Sequence, residues 1–285
     1  MNNYTICNLY SGSKGNSTFI CADGVKILID AGKSAKALTA ALNQIGESID
    51  DISAIFITHE HNDHISALRT LSHKKKIPIH ITLGSASKFN GLKDEALCDC
   101  LCIHQGSDFS VEIDSLSVTA FPTPHDSLAS VGYKITFGKQ DSRKSIAYAT
   151  DIGKVTDTIR DNLCGCESVI IESNHDPDML ISGPYPYELK LRIKSDKGHL
   201  SNPECAQLCS YLAEHGTKNI MLAHLSEENN LPELAYSECF SAVANQNVKI
   251  CIASPDTPTQ MSDEDCTNEN NLLCDVFNFE SMSDV

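Results

Sequence analysis

The sequence of 285 residues contains no apolar run that approaches the roughly 18 residues of a membrane-spanning helix. Its first residues, MNNYTICNLYSGSKGNS, lack a basic region followed by a long apolar stretch, so they predict no secretory signal peptide. With 41% hydrophobic and 21% charged residues, the composition is that of an ordinary globular protein. We therefore expect a cytoplasmic protein with no membrane partner.

Cysteine pairs spaced C-x-x-C are also missing, although the chain contains 13 cysteines. Such pairs are typical of structural zinc clips, so their absence argues against a clip. The densest group, CDCLC at Cys98, Cys100 and Cys102, alternates as a β-strand would. We expect most of the thiols to remain free in a reducing compartment, where they behave as small apolar side chains.

Basic side chains are scarce, because 22 Lys and Arg stand against 38 Asp and Glu, for a formal net charge of −16. This excess of acid argues against a protein that coats nucleic acid by bulk electrostatic attraction. A local basic groove remains compatible with it. The segment ELKLRIKSDKGHLSN contains Lys190, Arg192, Lys194 and Lys197, which could position a phosphate backbone without reading its sequence. A solvated helix face explains the same run equally well.

Residues 1–254 alternate short apolar β-like runs with turns and helix-like stretches. Helices are predicted for SAKALTAALNQIG, for the segment that begins ISALRTLSHKKK, and for NPECAQLCSYLAEHG. The last of these has Pro203 at its first position and Gly216 beyond its end. Residues 255–285 are polar and acidic, with no sustained period. We predict one domain over residues 1–254 and a disordered acidic tail over residues 255–285.

The segment FITHEHNDHISAL concentrates titratable groups directly after an apolar run. His59 and His61 are two residues apart, so they point the same way if they end an extended strand. Asp63 and His64 follow in a loop or in the first turn of the next helix. Imidazole and carboxylate ligands suit zinc, manganese or iron. The spacing therefore predicts a metal site.

Three further candidate ligands each end an apolar β-like run: His125 ends VTAFPTPH, Asp151 ends SIAYATD, and His224 ends KNIMLAH. Four ligands as close together as those of the first segment cannot complete two coordination spheres, so more are required. A buried core histidine is the ordinary explanation for any one of these residues. Placement at the end of a strand, repeated this often, favours a shared site at one edge of a sheet.

The chain resembles a metallo-β-lactamase-fold hydrolase in five motifs: LIDAG, THEHNDH, PTPHDS, YATDIG and LAHLS. The resemblance covers residues 1 to about 254. Further stretches resemble the YycJ (also WalJ) group, whose members are regarded as DNA exonuclease-like phosphodiesterases: GSKGNS, IESNHD, GPYPYELKLRI, GHLSN and HLSEENN.

This resemblance implies an α/β (α+β) fold, the four-layer αββα metallo-β-lactamase sandwich, with a dinuclear metal site at one edge of the sheets. It implies two divalent metal ions, with zinc, manganese or iron as candidates. The implied ligands are His59, His61 and His125 for the first ion, Asp63, His64 and His224 for the second, and Asp151 as a bridge. Asp30, in LIDAG, would orient ligands without binding a metal itself.

The implied activity is hydrolysis of phosphodiester bonds in nucleic acid, most simply as a DNA exonuclease running 5′ to 3′. Two cations about 3.5–4 Å apart can hold a hydroxide between them and lower its pKa, and Asp63 would orient this nucleophile. His199, in GHLSN, would assist the leaving oxygen or contact a phosphate. The predicted substrate-binding residues are Asn16, Asn174, Lys190, Arg192 and His199.

Two alternative functions stay open. A thioester or small-molecule ester hydrolase of the glyoxalase II type shares almost all of the metal ligands. A non-catalytic metal-binding scaffold would be expected to lack some ligands, whereas all seven are present. Asp151 stands where one class of lactamases has Cys, which argues against lactam hydrolysis. The stretch between Asp151 and His224 is too short for the domain that J-type ribonucleases insert there.

Overall fold

Two seven-stranded sheets form the centre of the computed structural model, which describes residues 4–89 and 93–262. The strands of the first sheet are β1 (Tyr4–Tyr10), β2 (Ser17–Ala22), β3 (Val25–Ile29), β4 (Ala54–Phe56), β5 (Ile79–Thr82), β6 (Leu101–His104) and β14 (Thr259–Ser262). Those of the second are β7 (Ser110–Ile113), β8 (Leu116–Pro122), β9 (Val131–Phe137), β10 (Lys144–Ala149), β11 (Ser168–Glu172), β12 (Asn219–Ala223) and β13 (Lys249–Ile252).

Each sheet joins antiparallel hairpins to a parallel half. The first sheet has the order β14-β1-β2-β3-β4-β5-β6, and its strands from β3 onward pair in parallel. The second has the order β13-β12-β11-β10-β9-β8-β7, and β10 to β13 pair in parallel. Parallel strands end at the same edge, so the loops that follow them lie side by side.

Helices connect the strands and cover both sheets. They are α1 (Ala35–Gln44), α2 (Asn62–Ile65), α3 (Leu68–Lys74), α4 (Leu83–Ala86), α5 (Glu95–Cys100), α6 (Asp157–Leu163), α7 (Pro177–Ser182), α8 (Tyr187–Ile193), α9 (Asn202–Glu214) and α10 (Pro232–Ala242), with 3₁₀ turns at Ile49–Asp51, Ser87–Phe89 and Gln140–Ser142. None of the helices in the described ranges has the length and apolar character to cross a membrane.

The apolar side chains form three layers of core. Between the two sheets, Ile27 and Phe56 pack in the same cluster as Tyr133 and Ile170. Leu28, which points the opposite way from Ile27 because side chains alternate along a strand, joins the outer core beneath α1 and α3. A third cluster lies between the second sheet and α6, α9 and α10. This arrangement confirms the predicted αββα sandwich.

Helix α9 shows how closely local signals determine an element. Pro203 lies in its first turn, and Ser201 with Glu204 forms a capping box at its N-terminus. Gly216 follows its end with a φ of 97°, a backbone conformation that glycine adopts without strain. The helix begins at Asn202, one residue before the proline that was predicted to be its first residue, and it ends before Gly216 as predicted.

Two sequence-based expectations are wrong. Cys98 and Cys100 belong to helix α5, and only Cys102 lies in a strand. The predicted tail begins too early, because strand β14 lies within it and pairs antiparallel with β1, where Met261 opposes Ile6. Main-chain hydrogen bonds make this pairing, so the polar side chains of TQMS give little sign of it. The rest of the predicted tail, residues 263–285, lies outside the described residues.

Candidate metal centre

The seven predicted ligands all come from segments that follow strands at one edge of the two sheets. His59 and His61 follow β4, while Asp63 and His64 lie in the short helix α2. The other three belong to the second sheet: His125 follows β8, Asp151 follows β10 and His224 follows β12.

Three polar residues at these strand ends adopt a left-handed backbone. Asp30, Asp151 and His224 have φ values of 63°, 56° and 57°. Asp30 and His224 directly follow β3 and β12, and Asp151 follows β10 after one intervening residue, Thr150. The chain turns sharply at each of these three residues, at the edge of its sheet. Non-glycine residues in this region cost of order 1–3 kcal/mol each, and the surrounding structure must hold them there.

The ligand atoms form compact groups around the carboxylate of Asp151. In each of three sets, all ligand atoms lie within 4.8 Å of one another: His59 with His61 and His125, Asp63 with His64 and His224, and His59 with His64 and Asp151. The Asp151 oxygens lie 3.5 Å from Nε2 of His64, 3.7 Å from Nε2 of His125 and 3.6 Å from Nε2 of His224. The first two groups correspond to the two ligand sets that the resemblance implies.

The second ring nitrogen of His64 and that of His125 are held from outside the cluster. Nδ1 of His64 lies 2.8 Å from Oδ2 of Asp30, which is fully buried and also accepts hydrogen bonds from the amide and hydroxyl of Thr58. Nδ1 of His125 faces the carbonyl of Gly198 at 3.2 Å. Such outer contacts fix ring orientation and leave Nε2 for the centre. Asp30, the residue predicted to orient ligands, therefore lies against Nδ1 of His64.

Glu172 does the same for His224 and was not predicted. Its Oε1 lies 2.7 Å from Nδ1 of His224 and 2.8 Å from Nδ1 of His199. Its Oε2 accepts hydrogen bonds from the amides of Ile152 and Leu200. One sign of it is visible in the sequence: Glu172 is an acidic residue at the end of the apolar strand SVIIE.

Helix α2 is held against the loop after β3 by backbone contact. A Cβ built on Gly32 would lie 1.5 Å from the carbonyl oxygen of Asp63. That carbonyl accepts a hydrogen bond from the amide of Asn16, and the carbonyl of His64 accepts one from Ala31. Glycine is required at position 32 because only a residue without a Cβ lets this loop approach the backbone of α2 so closely.

Charge in the buried cluster favours ionised carboxylates. Burial alone would raise the pKa of Asp151, but the histidines around it, first His224 and then His64, hold that pKa well below its usual range. Burial is likewise outweighed at Glu172, where His199 and His224 lower the pKa to about 2. The pKa of His224 rises to about 9 although burial opposes this, because Asp151 and Glu172 lie beside it.

The predicted substrate-binding residues occupy different surroundings. His199 and Asn174 line a cavity of about 400 Å³ that opens beside His224. Asn16 is buried against two predicted ligands: its Nδ2 donates to the carbonyl of Gly12 and lies 3.2 Å from Oδ2 of Asp63 and 3.1 Å from Nε2 of His64.

The two predicted basic contacts on α8 are already engaged. Nζ of Lys190 donates to the carbonyls of Ile181 and Gly183, each at 2.7 Å, and Arg192 is paired with Asp126. Arg192 also lines the cavity. Of the two residues, Arg192 faces the cavity that a substrate could enter. Lys190 would first have to give up its hydrogen bonds to Ile181 and Gly183.

Comparison with known proteins adds to this geometry. The model of the beta-lactamase superfamily domain matches residues 25–225. The chain belongs to this superfamily. It is 34% identical over 266 residues to the exodeoxyribonuclease WalJ of Streptococcus pneumoniae serotype 2 (strain D39 / NCTC 7466), covering 90% of this chain and 96% of that protein. It is 36% identical over 227 residues to the exodeoxyribonuclease YycJ of Bacillus anthracis, covering 80% and 84%. The predicted membership of the metallo-β-lactamase-fold, YycJ/WalJ-like group is confirmed.

The solved structures show the same architecture. Zinc-bound PqqB from Methylobacterium extorquens superposes with a TM-score of 0.64 at 18% identity, over 90% of this chain and 99% of that one. The metallo-β-lactamase fold implies divalent metal ions.

The residues of this superfamily member fit such ions. Nε2 of His224 is buried and makes no hydrogen bond within the described part of the chain, although a buried polar atom without a partner is costly. Imidazole and carboxylate donors suit borderline divalent cations, and the imidazoles around Asp151 hold it in the ionised form that a carboxylate ligand requires.

Proposed function

We propose that this protein is a divalent-metal-dependent phosphodiesterase that acts on nucleic acid, most simply a DNA exonuclease working 5′ to 3′. The observation that carries the proposal is the ring of imidazoles around the buried carboxylate of Asp151. The relatives WalJ and YycJ, named exodeoxyribonucleases, support the choice of DNA.

In this proposal, two divalent ions share the cluster, with zinc or manganese favoured and iron also compatible with the donors. His59, His61 and His125 would hold one ion, Asp63, His64 and His224 the other, and Asp151 both. When bound, such ions supply Lewis-acid activation of the phosphate and of the attacking water. A quarter of the Asp63 side chain is exposed, whereas that of Asp151 is almost fully buried; this difference supports assigning the orientation of the attacking water to Asp63.

His199 is the residue that we assign to the leaving oxygen. Its ring lies 5.2 Å from that of His125 and 5.3 Å from that of His224, and its side chain is 20% exposed toward the cavity. Burial opposes protonation, but Glu172 raises the pKa of His199. With Nδ1 held by Glu172, Nε2 carries the proton that the leaving oxygen needs.

The substrate would enter through the cavity beside His224. Its rim contains Lys14 and Arg192, each already paired with an acid, Glu227 and Asp126 respectively. A phosphate backbone would have to compete with these acids, so binding in a protein of net charge −16 should be local and weaken steeply with salt.

The deciding experiment follows product release from duplex DNA labelled at the 5′ or the 3′ end, with Mn²⁺ or Zn²⁺ supplied. We expect stepwise release of mononucleotides from one end by the wild type, and none by Asp151→Asn. Asp157→Asn, at a carboxylate exposed on α6, is the matched control and should retain activity.

Intact DNA and RNA in the presence of a wild type that holds two metals would refute the nuclease. A thioester substrate of the glyoxalase II type should then be tested with the same variants. Equal cleavage by wild type and Asp151→Asn would place the activity elsewhere.

A further inference from the structure

Three cysteines meet in the outer core, and none of them is among the residues predicted to hold metal in the histidine cluster. Cys205 and Cys209 are one turn apart on α9, and Cys239 reaches them from α10. All three are fully buried. Residues four apart lie on the same face of a helix, so the two thiols of α9 point together at the third.

The sulfur atoms are spaced as ligands of one ion would be. Sγ of Cys205 lies 3.9 Å from Sγ of Cys209 and 3.8 Å from Sγ of Cys239, and all three lie within 4.8 Å of one another. With metal–sulfur bonds of about 2.3 Å, the sulfur atoms around a shared ion are separated by about 3.8–4.0 Å. Little movement is therefore required for binding.

The three thiols contact one another directly. The thiol of Cys239 donates a hydrogen bond to Sγ of Cys205, and Sγ of Cys209 lies 3.9 Å from that same sulfur atom. The thiolate is the form of cysteine that binds metals, so an ion bound here would replace the protons of these contacts.

We propose that Cys205, Cys209 and Cys239 form a second metal site, made of sulfur alone, for a soft ion that accepts three ligands, Cu(I). Soft thiolates select Cu(I) and zinc among biological metals. Structural zinc sites take four protein ligands, whereas here Leu208, Leu212 and Ala235 belong to the same packed core as the three thiols. Binding replaces thiol protons, which leave to solvent, and involves no change of oxidation state.

The test titrates the full-length protein with Cu(I), without oxygen, after its histidine cluster has been loaded with zinc and in the presence of a competing Cu(I) chelator. We expect the wild type to take up one equivalent more than Cys239→Ala or Cys205→Ala. The control is Cys166→Ala, at another buried cysteine of the same core, whose thiol donates to the carbonyl of Asn162; it should bind copper as the wild type does.

X-ray absorption on the copper-loaded wild type does not depend on whether any variant folds. Sulfur ligands alone, three in number, support the site. Nitrogen or oxygen ligands, equal uptake by wild type and Cys239→Ala, a preference for zinc over Cu(I) at these thiols, or a disulfide among them in the isolated protein would each overturn it. DNA cleavage is measured in parallel and is expected to be unchanged in Cys239→Ala, so the result is independent of the nuclease proposal.

Discussion

Oε1 of Glu172 lies 2.7 Å from Nδ1 of His224, and both side chains are buried. This contact leaves Nε2 as the only nitrogen of His224 that is available to the centre. The orientation of a proposed ligand therefore depends on a residue that would not itself touch a metal.

Glu172→Gln should weaken the second half of the site. The amide cannot accept from two histidines and two backbone amides with the strength of a carboxylate, so we expect metal affinity or activity to fall about 10- to 100-fold. Competition with a chelator measures the affinity. Glu167 is a carboxylate just before the start of the same strand, where it pairs with Lys144 and Lys218. Glu167→Gln should change the metal affinity little. Equal loss of metal affinity in both variants would mean a general effect on folding.

Gly32→Ala should separate helix α2 from the loop after β3. The new Cβ would occupy the place of the carbonyl oxygen of Asp63, so Asp63 and His64 must move. Misplacement of a reacting group by about 1 Å can cost 10²-fold in rate, and we expect at least that loss in kcat/KM. In Gly106→Ala the Cβ meets only the end of the Asp108 side chain, so normal activity is expected there. An active Gly32→Ala enzyme would contradict this account.

His80 should make the protein less stable in acid. Burial, and secondarily His104, lowers the pKa of His80 from 6.5 to about 4, so between these values the unfolded chain binds a proton that the folded protein does not. Neutral His80 therefore costs no stability above pH 6.5. As the pH falls from 6.5 toward 4, the free energy of unfolding decreases because of this residue by at most about 1.4 kcal/mol per pH unit. Urea unfolding at several pH values gives the free energy of unfolding of the wild type and of His80→Phe. Between pH 4 and 6.5 this free energy should fall less steeply in the variant, because the contribution of His80 to the slope is gone. His215→Gln, at an exposed position, should leave the slope unchanged.

A chain cut after residue 254 should behave worse than one cut after residue 262. Loss of β14 would leave β1 as an open edge with unpaired backbone groups, which promotes association between molecules, and would remove Met261 from the central core. We expect the shorter chain to melt at least about 5 °C lower and to aggregate on light scattering. Identical melting of the two chains would show that the pairing of β14 with β1 adds nothing.

The sequence predicted best the features that depend on residues close together along the chain. The residues predicted as ligands come after apolar runs, and the folded chain brings their side chains together. The ends of α9 carry their own proline, capping box and glycine. Glu172 is different: its role depends on β11 lying between β10 and β12, with the loops of distant segments arranged around it. A single acid at the end of an apolar strand does not predict that.

Charge was misleading for the same reason. Lys190 and Arg192 suggested a basic surface, yet the carbonyl of Gly183 and the carboxylate of Asp126 engage them in the folded chain. Partners brought together by folding cannot be read from a run of like charges. The short CDCLC segment alternates as a strand would, yet its first part lies in α5, because Asp94 caps the helix there.

The left-handed corners at Asp30, Asp151 and His224 set stability and function against each other. Glycine at any of the three positions would remove the strain of the left-handed backbone, but it would also remove the side chain that reaches the proposed site. Glycine would also remove the hydrogen bonds that Asp30 accepts from Thr58 and the contact between His224 and Glu172. At these corners the strain of a left-handed backbone, about 1–3 kcal/mol at each residue, is therefore offset by buried polar contacts of the proposed site itself.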